Sequence, residues 1–98
     1  MKIILSQQLN TGVASPENKF INIYKTFDSV TIPHKGDFID DSLWKDPYHY
    51  EVAEVIINYA NNTCFIEMFA YKLPSNDAVD QMVQLAENSH GWTTKYPM

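Results

Sequence analysis

A chain of 98 residues that is 45% apolar and 13% aromatic can bury one hydrophobic core, and its composition excludes a disordered polymer. Twelve acidic against seven basic residues leave a formal charge of −5, which disfavours phosphate backbones and anionic lipid surfaces as partners. All seven basic residues are lysines, none adjacent to another, so the arginine fork that reads guanine, phosphate or carboxylate is missing.

Cys64 is the only cysteine, which excludes an internal disulfide and a thiolate metal cluster. The apolar opening MKIIL is cut short by QQLN and does not read as a signal peptide. No segment is long and apolar enough for a membrane span. These features lead us to expect a cytoplasmic location and no membrane.

In chain order, KIILSQQL (2–9) reads as a strand near 2–8, and NTGVASPENK (10–19) as a loop of turn-forming residues. FINIYKTFDSVTI is rich in aromatic and β-branched residues and should be extended over 20–30. Ile21, Ile23 and Phe27 would share one face and Phe20 and Tyr24 the other. VTIPHKGDFI forms two short extended pieces around a Lys35–Gly36 turn, the second at 37–40. DDSLWKDPYHY is a further turn region, with Leu43 and Trp44 tucked onto the core and Pro47 outside any central strand.

VAEVIINYANNTCFIEMFAY (52–71) makes the clearest local statement. Asn61–Asn62 suits a two-residue turn between strands at 50–60 and 63–72, because asparagine tolerates the left-handed backbone. That register pairs Tyr59 with Cys64, Ile57 with Ile66, Val55 with Met68 and Ala53 with Ala70 on an apolar face. The opposite face then holds Asn58, Phe65, Ile56, Glu67, Glu54, Phe69, Val52 and Tyr71, a mixed strip that needs either cover or a partner.

The segment 76–90 has the apolar spacing of a helix through Val79, Met82, Val83 and Ala86. Ser75 or Asp77 can cap its start. Gly91 can take the left-handed conformation after its end, with Trp92 folded back over the last turn and His90 near the C-terminal dipole. The expected fold is therefore one small α+β domain over 1–98, with a loose tail from about 93. Its five-stranded antiparallel sheet, or SH3-like partial barrel, carries a C-terminal helix.

Little in the chain forms a catalytic constellation. His34, Asp37 and His49 are suitable metal-ligand types, but their spacing matches no zinc, EF-hand or HExxH pattern. Glu54 and Glu67 would be neighbours on one sheet face, without the opposed placement glycoside chemistry uses. Cys64 falls on the apolar face, where a thiol is inert. No cofactor and no resident metal are expected.

The reading that follows is a non-enzymatic protein-interaction module, a small regulator or inhibitor, acting on another protein or on itself as a homodimer. Tyr24, Phe65, Phe69 and Tyr71 supply candidate aromatic anchors. Asp37, Asp40, Asp41 and Glu67 supply an acidic rim suited to a basic partner. Two alternatives come from other classes: a small metal-dependent hydrolase using the His34/His49 loop, and a single-stranded nucleic-acid binder using stacked aromatics.

Overall fold

The computed structural model describes residues 1–12, 19–43 and 50–97. Its strands are β1 (Lys2–Asn10), β2 (Phe20–Asp28), β3 (Phe38–Ile39), β4 (Tyr50–Asn58), β5 (Thr63–Met68) and β6 (Tyr71–Lys72), followed by helix α1 (Asn76–Ser89). The expected strands at 2–8, 20–30, 37–40 and 50–60 and the helix at 76–90 correspond to these elements within a few residues. Trp44, Pro47 and His49 lie outside the described residues.

The sheet is mixed, which corrects the expectation of an antiparallel one. Its order is β2-β1-β5-β4-β3, with β6 also pairing β1. β1 runs antiparallel to β2 but parallel to β5 and β6. β1 is also covered on both faces: Ile3, Leu5 and Leu9 are buried on one, Ile4, Ser6 and Asn10 on the other. A strand with neighbours on both sides and cover above and below needs apolar or bonded side chains throughout.

The sheet curls into a half-barrel. The odd-numbered face of β1 forms the core with Ile23, Val52, Cys64, Ile66 and Met68, and Val79, Ala86 and Trp92 close it. Truncating one of these fully buried aliphatic side chains to alanine costs about 2–5 kcal/mol. The curl brings the ends of the strand order together. Asp41, just beyond β3, accepts a hydrogen bond from Lys25 Nζ on β2 at 2.7 Å, and Leu43 is buried beside this closure.

The β4–β5 hairpin exists, but in a different register. Ile57 faces Cys64 and Val55 faces Ile66, because the turn takes four residues, Tyr59 to Asn62, instead of two. Asn62 alone among the non-glycine described residues has a positive φ, 56°, whereas a two-residue type I′ turn needs two such residues. The Asn58 side-chain carbonyl accepts the Asn61 N–H at 3.1 Å and holds the wider turn. A two-residue slip preserves side-chain parity, so Cys64 and Ile66 still point into the core.

Lower in the hairpin the parity does change. A bulge at Ala53 makes Val52 the partner of Met68, and both are buried. The expected Ala53–Ala70 pair is absent, and Val52 lies on the core face instead of the mixed one. The expected strand over 63–72 is also interrupted, at Phe69 and Ala70. There β1 and the chain it pairs with fall out of step by one residue. The buried Gln7 amide fills the gap by donating to the Phe69 carbonyl at 3.1 Å. The extra residue turns Tyr71 to the core side opposite Leu9, where its ring stacks on Tyr50 at 5.0 Å.

Helix α1 begins as its sequence suggests. Ser75 is the N-cap and its hydroxyl accepts the Ala78 N–H. At the other end Gly91 takes φ 77°, and the Trp92 N–H returns to the Ala86 carbonyl at 3.1 Å. His90 Nδ1 shares a hydrogen bond with Ser42 Oγ at 2.8 Å. The chain then runs along the outer edge of β2, where Thr93 and Tyr24 exchange both backbone hydrogen bonds, at 2.7 and 2.8 Å.

Candidate functional site

The sheet face away from the helix carries the residues whose chemistry the core does not absorb. Strand pairing arranges them in rows. One row crosses the sheet as Ile56, Phe65, Ile4 and Thr26, and the next as Glu54, Glu67, Ser6 and Tyr24. Tyr96 folds back over these rows: its ring meets Tyr24 edge-on at 5.4 Å and lies 6.2 Å from Phe65. The three rings roof one end of the face and account for the burial of Ile4. Ile56 and Tyr96 remain more than half exposed.

Beside the aromatic group stands a like-charge pair. Glu54 and Glu67 face each other directly across β4 and β5. Burial pushes the Glu67 carboxyl above its ordinary value and Glu54 pushes the same way; a hydrogen bond from Ser6 opposes them without cancelling the shift. No described lysine forms a salt bridge with either carboxylate. A cation delivered by another molecule would therefore meet two carboxylates next to apolar surface, a setting that strengthens charge pairing and favours cation–π contact with the rings.

The expected contact residues do not all gather here. Tyr24, Phe65 and Glu67 do, joined by Tyr96, Ile56, Ile4 and Glu54. Phe69 is half exposed at the interruption between β5 and β6. Tyr71 has turned to the core side. Asp37 is occupied with its own turn, its carboxylate accepting the His34 N–H at 2.8 Å. Asp40 is exposed after β3. Asp41 faces inward, taking hydrogen bonds from Lys25, Leu43 N–H and the Trp92 indole. Burial alone would raise its carboxyl; these bonds and the Lys25 charge outweigh burial and hold it below the usual carboxylate value.

Other sites weighed from the sequence have a plain geometry. Cys64 is fully buried, and burial raises its thiol. His34 is exposed on the 34–37 turn, with Nδ1 3.7 Å from Asp37. Among the described residues no group of three or more His, Cys, Asp and Glu side chains converges as a metal site. A recess of about 260 Å³ lies at the β1–β2 end, lined by Lys2, Thr26, Phe27 and Asp28, without a histidine or cysteine. No described helix is long and apolar enough to cross a membrane.

Ile56 and Glu54 were recognisable from the mixed face of the hairpin, whereas Tyr96 follows the helix and carries no periodic signal. Comparison of the chain with protein-family models, with curated proteins and with solved structures finds no match.

Proposed function

We propose that the chain is a non-enzymatic, cytoplasmic protein-interaction module that docks a basic segment of a partner on the sheet face away from its helix. The observation that carries this reading is the directly opposed Glu54–Glu67 pair beside exposed Ile56 and the Tyr24–Tyr96–Phe65 ring group. A lysine or arginine placed between the carboxylates would relieve their repulsion. The stem of the same side chain, or its apolar neighbour, would cover Ile56 and the ring edges. The net charge of −5 would steer such a partner towards the protein.

The test is selection from a random peptide display library. Bound peptides are expected to be enriched in lysine or arginine next to aliphatic or aromatic residues. A Glu54→Gln/Glu67→Gln variant should bind them about tenfold more weakly. No selected binder, no basic enrichment, or equal binding by the variant would each overturn the reading.

A further inference from the structure

We infer that the chain forms a two-fold dimer by pairing the free edge of β4, residues 54–58, antiparallel with the same edge of a second copy. The observation is the strand edge itself, so the inference does not depend on the docking face proposed above. β3 covers only the start of β4, pairing with Tyr50 and Glu51. One residue further, the Gly36 N–H donates to the Val52 carbonyl at 2.9 Å, and the Val52 N–H to the Asp37 carbonyl at 2.8 Å. Beyond that point β4 has no neighbour on its outer side among the described residues.

The direction of the free backbone groups follows from Val52. Its side chain faces the core while its amide and carbonyl point outward. Side-chain face and amide direction alternate together along a strand. Past the Ala53 bulge, Val55 and the 37%-exposed Ile57, which share the side-chain face of Val52, therefore turn their N–H and C=O groups outward. Natural edges are commonly protected by charge, proline, a bulge or short length; here the bulge at Ala53 and the charge of Glu54 stand at the start of the run, and Val55-Ile-Ile-Asn58 carries neither charge nor proline. The edge of β2 differs, because Thr93 blocks it at mid-length.

The second copy is the occupant the geometry favours. The 36–37 turn bounds the free run at one end and the 59–62 turn bounds it at the other. A strand of the same five residues laid antiparallel between those stops has its two-fold axis at Ile56. Val55 then meets the partner's Ile57, and Ile57 the partner's Val55, each pair exchanging both backbone hydrogen bonds. Ile56, 57% exposed, packs against its own copy. Glu54 meets the partner's Asn58, a carboxylate facing an amide donor. The two Glu54 carboxylates are left about 13 Å apart along the strand, beyond a screening length of about 8 Å at physiological salt.

The test uses the full chain. Light scattering coupled to size exclusion, over a concentration series, should give twice the chain mass at high concentration. Ile56→Lys places two ammonium groups opposite each other and should raise the dimer dissociation constant by about tenfold or more, with the circular-dichroism spectrum unchanged. Cysteine substitution reports the register independently of that variant's folding: Ile56→Cys should oxidise to a linked dimer, since the opposed Cα atoms suit a disulfide, while Asn58→Cys should not. The Glu54→Gln/Glu67→Gln variant should remain dimeric, so this inference and the docking face fail separately. A monomer up to the solubility limit, a dimer indifferent to Ile56→Lys, linkage at 58 as readily as at 56, or a foreign strand occupying the edge in place of a second copy would overturn it.

Discussion

Lys25 and Asp41 stand at opposite ends of the strand order and meet at 2.7 Å. Lys25 is on β2, Asp41 follows β3, and their contact closes the curl of the sheet. The Trp92 indole donates to the same carboxylate at 3.1 Å, so one side chain joins both sheet ends to the segment after the helix. Asp41→Ala leaves a partly buried ammonium and two donors without their acceptor and should cost about 2–4 kcal/mol in chemical denaturation. Asp41→Asn keeps an acceptor for Leu43 and Trp92 and should cost less.

The same site predicts an acid dependence. The folded Asp41 carboxyl lies below its unfolded value of 3.8, so the folded state favours the ionised form. Its stabilising contribution is complete above pH 3.8 and is lost as pH falls through the lower folded value. Urea unfolding of wild type and Asp41→Asn should give stabilities that converge on acidification. A gap that stays constant down to the acid transition would contradict this.

Glu67 predicts the opposite sign. Its folded carboxyl lies above the unfolded value of 4.5 because of burial and Glu54. The folded state binds the proton more tightly, so stability from this group is present below 4.5 and declines as pH rises through the folded value. Glu67→Gln should therefore have a thermal midpoint equal to or above wild type at pH 7, with the advantage disappearing in acid. A clear loss of stability at neutral pH would show that the Ser6 hydrogen bond outweighs the charge repulsion.

These contrasting acids show what could be read from the sequence. Alternation and turn residues located every strand but the two-residue β6, and placed Cys64 and Ile66 on the apolar face of the hairpin, because both signals are local; in β2 they set Ile21 and Ile23 on one face without saying which face is buried. The parallel pairing of β1 with β5 leaves no local trace: a strand's pattern records which face is buried, not which neighbour lies beside it. Asn61–Asn62 is compatible with turns of two lengths, and both send Ile57 to the same face. Tyr71 was misplaced by one added residue, since every side chain beyond such an irregularity changes face. Asp41 was assigned to an exposed rim because aspartates in turns are ordinarily solvated; its partners, Lys25 and Trp92, are remote in sequence.

The hairpin turn offers a backbone prediction. Asn62 sits at φ 56°, where a β-branched side chain is strained. Asn62→Val should destabilise by about 1–2 kcal/mol, while Asn62→Gly should be close to neutral. Equilibrium denaturation of the two variants checks the difference, and equal effects would argue against a left-handed residue at this position.

Gln7 offers a prediction about the interrupted pairing. Its amide is fully buried and donates to the Phe69 carbonyl. Gln7→Leu preserves much of the volume but removes that donor, so we expect a loss of about 1–3 kcal/mol. Hydrogen exchange should quicken around residues 69–72 before it does in β2. Uniform quickening across the sheet would place the role of Gln7 in general packing instead.

The position of β1 also has a consequence for synthesis. Lys2 pairs with Thr63 and Ser6 with Glu67, so this strand leaves the ribosome long before its parallel neighbour exists. The β1–β2 ladder can form early, but the other side of IIL stays open until β5 has been made. Parallel contacts so distant in sequence are slow to close and leave apolar edges exposed meanwhile. The nascent chain is therefore most vulnerable to aggregation between the completion of β2 and the emergence of β5, when a chaperone able to hold residues 3–5 would most increase its yield.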